Sequence, residues 1–284
     1  MPKYKPINLS NIVKDYELLL FDIYGVLLED NNPYTKIIEA VNNLSQSIKI
    51  CFISNTPQPA QYSSDRLNSY GINATSRNVY TSGEIARAML KNTKKYLEID
   101  SPIVFHLGPD FKKNVLKDLP IKITTNIHDA NILLITAFED CEDKLNQYNS
   151  IFQTAVNNKA ICLCANPDTI NPLGSKSRYC AGYFSAIYKA IGGQVVYSGK
   201  PYAEIFQAVL NTAAQNVKKE KILMIGDTLE TDILGANNVG IDSALVLTGN
   251  AFRIAKASNI NDQVNILSDI FKLKNIYPNY IVCI

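Results

Sequence analysis

The chain has 284 residues, 46% of them apolar and 19% charged, with a formal net charge of +2. That length supports one large or two modest domains with real cores, and the small, scattered positive charge argues against nucleic acid as a partner. No apolar run approaches the roughly 18 residues of a membrane-spanning helix, and the N-terminal stretch MPKYKPINLSNIVKDYE lacks the apolar middle of a secretion signal, so the chain reads as cytoplasmic with no membrane partner.

Taken in chain order, a strand over Leu18–Asp22 is followed by a helix over Tyr34–Ser45, a strand over Lys49–Ser54 and helices over Pro59–Tyr70 and Ser82–Tyr96. Strands over Ile103–Leu107 and Asn131–Thr136 come next, then a helix over Glu142–Asn157, a strand over Ala160–Cys164 and helices over Gly182–Ala190 and Pro201–Asn216. A strand over Lys221–Ile225, a helix over TDILGANNVG and a strand over Ala244–Leu247 complete the series. This alternation predicts an α/β fold with a parallel sheet and helices on both faces. Runs such as LLLF and ILMI, apolar throughout, suit strands buried on both sides.

Ligands of such sheets bind beyond the carboxyl ends of the strands, so the residues there carry the functional signal. Asp22 follows the first strand, Ser54-Asn55-Thr56-Pro57 the second, and Gly226-Asp227-Thr228 a later one, while Lys200 precedes Pro201 and its helix. The block 80–191 has its own strands and helices but none of these groups. It reads as a second domain inserted into a core of 1–79 and 192–284, with boundaries set to within several residues.

Six cysteines (51, 141, 162, 164, 180 and 283) form no metal-type CxxC pair. Alternation in AICLCAN puts Cys162 and Cys164 on one face of a strand, and buried thiols are the preferred reading over a disulfide or a metal site. With only two histidines, His106 and His128, a multi-histidine zinc site has too few ligands, and a Ser-His-Asp triad would depend on one of the two.

Each strand-end group has two readings. Asp22 is either an Asx turn before Gly25 or a nucleophile or metal ligand, since an unpaired buried carboxylate is costly. Ser54-Asn55 is either a turn or a hydroxyl and amide for phosphate oxygens. Lys200 is either a solvated lysine or the partner of an anion held at a helix start. Gly226-Asp227 offers a flexible turn and an acid suited to a hard cation. Thr231 reads as a helix cap, and Asp232 as a first-turn charge, a metal-shell acid or a lysine partner. Together they make a coherent set. An aspartate nucleophile meets a phosphate only when a divalent cation and a lysine neutralise both charges, and the aspartyl-phosphate then divides one hard displacement into two easier ones.

The motifs FDIYGVL, ISNT, SGKPY and IGDTLETDI, in that order, with CANPD and GDTLETDILGANNVGIDSALVLTG, resemble the haloacid dehalogenase (HAD) superfamily of phosphohydrolases, cap class IIA. The resemblance covers nearly the whole chain. It implies a Rossmann-like, doubly wound core with an inserted smaller α/β cap that closes over the site, Mg2+ dependence and hydrolysis of a small phosphorylated metabolite. Carried over, Asp22 matches the nucleophile and metal ligand, and Tyr24 the position whose backbone carbonyl binds Mg2+. Ser54 and Asn55 match the phosphate-binding motif and Lys200 the phosphate-neutralising lysine. Asp227 and Asp232 match the acidic metal motif, and Asn166 and Asp168 a cap loop that selects substrate. Exposed cap faces in this branch resemble dimerisation surfaces, which leaves a homodimer open.

Tyr24 is the departure from the pattern, which has aspartate there as general acid and then base. A phenol with an ordinary pKa of about 10 matches neither role near neutral pH, so slow turnover is expected. Two rival readings follow: a metal-independent dehalogenase using Asp22 on carbon, since tyrosine at this position resembles the dehalogenases themselves, and a weak enzyme that binds a phospho-ligand.

Overall fold

The strand Leu18–Asp22 is buried along its whole length. In the computed structural model, which describes residues 4–29, 32–139, 147–173 and 176–283, it lies inside a seven-stranded sheet. The strand order is Ile7–Asn8, Tyr280–Cys283, Asp242–Val246, Ile222–Gly226, Leu18–Asp22, Lys49–Ser54 and Val79–Thr81. Pairing is parallel from Ile7–Asn8 through Lys49–Ser54. A parallel sheet is covered by helices on both faces, which is why Leu18–Asp22 and Ile222–Gly226 are buried in every position rather than in every second one.

Register sets up the site. Phe21 pairs with Ile225 on one side and Phe52 on the other, and Asp22 pairs with Ile53. The carboxyl ends of the three strands are therefore level, and Asp22, Ser54 and Gly226 share one edge of the sheet. The chain leaves Leu18–Asp22 for the neighbour on one side, and the other neighbour comes from far along the sequence. The strand is thus the switch point where α/β sheets hold ligands.

The flanking helices present apolar stripes to this sheet. Thr35–Leu44 buries Ile37, Ile38 and Val41, and Ala203–Leu210 buries Ile205, Phe206 and Val209. The longest helix, Ile260–Lys274, was not among the expected elements. It starts where the Asn259 side chain accepts the Asp262 N–H at 3.0 Å, and it buries Val264, Leu267 and Phe271 against Leu229, Ile233, Leu245 and Ile281. Burial of each such side chain contributes about 1.5–3 kcal/mol.

The chain divides into two compact units, one of 1–54, 63–80 and 200–284, the other of 55–62 and 81–199. The second has a parallel five-stranded sheet ordered Val195–Tyr197, Ile161–Cys164, Ile132–Ile135, Ile103–Leu107 and Lys122–Thr124. Cys162 and Cys164 join one apolar cluster with Phe184 and Tyr188, while Leu163 between them joins the other, as alternation requires. Cys51 and Cys180 are also buried; Cys141 lies outside the described residues.

The structure differs from the expected elements in places. Val195–Tyr197 pairs with Ile161–Cys164, so this unit runs past the boundary at 191 to Gly199. The helix expected over Ser82–Tyr96 breaks at Asn92, whose side chain caps a new helix, Thr93–Leu97, by accepting the Lys95 N–H. The helix expected from Glu142 is described only as Asn149–Asn157. An antiparallel hairpin, Ile170–Leu173 with Lys176–Cys180, was not expected. Among the described residues no helix is long and apolar enough to cross a membrane.

His106 gives this second unit a pH-dependent stability. Its Nε2 lies 2.7 Å from the Thr136 hydroxyl, and its Nδ1 is buried with no hydrogen-bond partner among the described residues. Burial, aided by Lys113, lowers its pKa from the ordinary 6.5 to about 4. Between those values the unfolded chain binds the proton and the folded chain does not, so stability falls as pH falls through that window. The loss amounts to about 3 kcal/mol once the pH is near 4. His106→Gln is expected to remove that contribution. Urea melts of both proteins at pH 7.5 and 4.5 measure it, and equal acid sensitivity in the two proteins overturns the assignment.

Candidate active site

Asp22, Asp227 and Asp232 are all buried in the first unit, and one carboxylate oxygen from each lies within 4.8 Å of the others. Lys200, only 2% exposed, reaches into this group. Its Nζ stands 2.6 Å from Asp22 Oδ1 and 2.7 Å from Asp232 Oδ1, and donates to the Ile53 carbonyl at 3.2 Å. Four groups separated by up to 210 positions in sequence therefore meet at one sheet edge.

Local sequence explains how each arrives. Asp22 closes its strand. Asp227 follows Gly226 at the end of the next strand, and a wide helical turn over Leu229–Ile233 carries Asp232 back toward that glycine. A Cβ on Gly226 would stand 2.3 Å from the Asp232 Cβ, so only glycine lets the acid seat there. Asp232 Oδ2 accepts the Thr228 N–H at 3.0 Å. With its other oxygen on Lys200, Asp232 acts within its own turn and as the lysine's partner, and Thr231 supplies no cap: Thr228 precedes the turn.

Asp227 is held from the other side. Its Oδ2 accepts the Asn250 N–H at 2.6 Å, and its Oδ1 the Thr228 hydroxyl at 3.1 Å, which in turn accepts from Asn250 Nδ2 at 2.8 Å. Thr248 donates its hydroxyl to the Gly25 carbonyl at 2.5 Å. Added Cβ atoms at Gly25 and Gly249, both at positive φ, would lie 2.2 and 2.1 Å from Asp227 Oδ2. The turn after the first strand and the loop 248–250 thus clamp this acid. Thr228 stood among the strand-end groups without a role of its own, and Thr248 and Asn250 were not singled out. The signal was the stretch SALVLTGN: a strand running into small polar residues at the same sheet edge.

The electrostatics are those of an anionic pocket. Burial raises the pKa of Asp22 well above the ordinary carboxylate value; Lys200 opposes this, and Asp232 and Asp227 add to it. Burial and Asp232 raise Asp227 to about 7, against the Asn250 N–H and Lys200. For Lys200, burial favours the neutral amine, but Asp22 and Asp232 outweigh it and the pKa rises. Three carboxylates and one ammonium carry a formal charge of −2, which one divalent cation matches. All the donors are hard oxygens, so the residues present fit Mg2+. Removing Lys200 leaves buried carboxylates without their cation, which costs about 3–5 kcal/mol. Lys200→Met is expected to lose that much stability in denaturant titrations without added metal; a loss below about 1 kcal/mol would show that the pair is solvated.

Ser54 is buried at the end of its strand. Tyr24 sits in the turn after Asp22, half-buried, with its hydroxyl accepting from Arg66 Nη1 at 3.1 Å. The remaining expected residues gather in the second unit. Asn55 donates Nδ2 to Asp168 Oδ1 at 2.7 Å, and Asn166 accepts the Asp168 N–H at 3.0 Å. Asp22, Tyr24, Ser54, Lys200, Asp227 and Asp232 thus belong to one unit, and Asn55, Asn166 and Asp168 to the other.

Residues 19–122 match the family of haloacid dehalogenase-like hydrolases, and residues 197–270 a HAD-hydrolase-like family. A 4-nitrophenylphosphatase of Schizosaccharomyces pombe is 25% identical over 266 residues, covering 86% of this chain and 88% of that one. A HAD-superfamily structure from Cytophaga hutchinsonii superposes with a TM-score of 0.79 at 25% identity, covering 98% of this chain and 97% of the other. A glycerol phosphate phosphatase of Mycobacterium tuberculosis, solved with magnesium, shares the fold at a TM-score of 0.68 and 22% identity, over 95% of this chain and 75% of that one. The two matched segments together span more than half of the chain, and the protein is an enzyme of the haloacid dehalogenase superfamily of hydrolases.

Proposed function

We propose that this hydrolase is a Mg2+-dependent phosphatase of small phosphorylated metabolites, working through an aspartyl-phosphate on Asp22. The observation that carries the reading is the buried set of three carboxylates around one buried lysine at the carboxyl edge of the sheet. The names of the relatives support phosphate-ester chemistry of both aryl and alkyl kinds.

Asp22, Asp227 and the Tyr24 carbonyl would hold the ion, with Asp232 completing the acidic shell and fixing Lys200. Bound Mg2+ supplies the positive charge that lets an anionic nucleophile meet an anionic phosphate. The chain's own groups do the rest. Lys200 holds Asp22 by Oδ1, which sets the plane of the carboxylate and adds positive charge where the phosphoryl oxygens arrive. Asp22 attacks phosphorus, the ester P–O bond breaks, and the leaving oxygen departs with the electron pair and takes up a proton. Water then cleaves the acyl phosphate, releasing inorganic phosphate and restoring Asp22. Ser54 and Asn55 are the proposed ligands of the remaining phosphate oxygens, and Asn166 and Asp168 the proposed selectors of the substrate's other end.

A screen of phosphate esters with and without Mg2+ tests this. Phosphate release that requires the metal supports it. Halide release from a haloacid that survives a chelator would instead support the dehalogenase reading. Phospho-ligand binding without turnover would support the binding-protein reading, which Tyr24 in place of a second carboxylate favours.

A further inference from the structure

Asp227 is held by both of its carboxylate oxygens. Oδ2 accepts the Asn250 N–H at 2.6 Å, and Oδ1 accepts the Thr228 hydroxyl at 3.1 Å. That hydroxyl itself accepts from Asn250 Nδ2 at 2.8 Å. One residue of the loop after the strand Asp242–Val246 therefore reaches both oxygens, one directly through its backbone and the other through a threonine. The Ala251 N–H donates to the Asp227 carbonyl at 3.0 Å and ties the same loop to the backbone of the acid. All of these residues lie in the first compact unit.

This chain of donors has a direction. An amide nitrogen only donates, so the hydroxyl that accepts from it turns its single hydrogen to Asp227. Both carboxylate oxygens are then acceptors, and rotation about the Cβ–Cγ bond breaks at least one of the two contacts. Thr228 also gives its N–H to Asp232 Oδ2 at 3.0 Å, so a single residue sets two acids of the cluster. Metal affinity depends on such outer partners, whose loss costs about 10–100-fold. The common hard cations differ in what they require of a carboxylate. Mg2+ keeps near-ideal octahedral geometry, whereas Ca2+ takes more oxygens and accepts both oxygens of one carboxylate. An acid pinned at both oxygens suits the first requirement and resists the second.

We infer that Thr228 and Asn250 are positioning residues that fix the Asp227 carboxylate for ligation through one oxygen, and so make the site favour Mg2+ over Ca2+. The inference rests on the metal-dependent reading of the site and adds to it the choice of ion and the residues that make that choice.

Calorimetric titration of the metal-free protein with magnesium chloride and with calcium chloride provides the test, and no turnover is needed. Thr228→Val keeps the shape and removes the hydroxyl, and Thr228→Ser keeps the hydroxyl. Asn250→Ala removes the amide and leaves the backbone N–H on Asp227. Thr228→Val is expected to weaken Mg2+ by about tenfold and Ca2+ by less than about threefold. Asn250→Ala shifts the ratio of the two affinities in the same direction. The double variant shifts it no further than Thr228→Val, and Thr228→Ser restores most of it. Melting curves without metal check each fold. Should Thr228→Val not fold, Asn250→Ala decides by whether the ratio moves toward Ca2+ or stays. Equal weakening of both ions, or a serine variant as weak as the valine one, overturns the inference and leaves the metal site standing. If the parent protein binds neither ion, the metal-dependent reading falls and the inference falls with it.

Discussion

Asp22→Asn is expected to reduce Mg2+-dependent phosphate release by at least about 10³-fold, with kcat carrying the loss. An amide is a poor nucleophile toward phosphorus, and without the covalent intermediate the remaining groups only bind and polarise; removal of a nucleophile elsewhere leaves a residue of that kind. The substitution is nearly isosteric and keeps an oxygen able to accept from Lys200 at the present 2.6 Å. It also removes one of three crowded negative charges, so the fold is expected to survive and the metal-free protein to melt no lower than the parent. Burst kinetics with a nitrophenyl ester and melting curves on both proteins provide the measurement. Turnover within tenfold of the parent, in a sample free of contaminating phosphatase, would remove Asp22 as the nucleophile.

The second large effect is a gain. Tyr24→Asp places a carboxylate where the phenol now stands, and general acid–base help of this kind is worth about 10²–10⁴-fold. The gain falls mainly on the second step, where water attacks the aspartyl-phosphate and needs a base. Single-turnover experiments with glycerol phosphate separate the two steps: dephosphorylation is expected to accelerate more than phosphorylation. The shorter side chain also gives up the 3.1 Å contact with Arg66, and that arginine remains near the new carboxylate as a partner for its charge. No gain, in a variant that melts like the parent and still binds Mg2+, overturns this account of position 24.

Much of the core was legible because two local rules agree there. LLLFD, KICFIS and ILMIG are short apolar runs that end in a polar residue or a glycine, and their strands appear at or within one residue of the expected bounds. The helix Ile260–Lys274 carried an equally local signal, with Val264, Leu267 and Phe271 at helical spacing after a capping Asn259, and it was overlooked. Other elements carried a local signal too short to decide them. Val195–Tyr197 is three residues long and is a strand because Ile161–Cys164 offers it an open edge. The turn Leu229–Ile233 is wide because Asp232 must reach both Thr228 and Lys200.

The sequence by itself determined which chemistry was available: acids and a lysine at strand and helix ends, a family motif order, and a tyrosine where the motif carries aspartate. Spacing along a chain encodes period and termination, and those suffice to identify strand ends. Only the tertiary structure decided which groups meet. Lys200 touches Asp22 and Asp232, Asn55 gives its amide to Asp168, and Asn250 and Thr248 clamp Asp227 and Gly25. Arg66 finds Tyr24 across 42 positions of sequence. Such pairings arise from sheet register and loop packing, in which residues far apart in the chain are brought together by the burial of other side chains, and no local pattern records them.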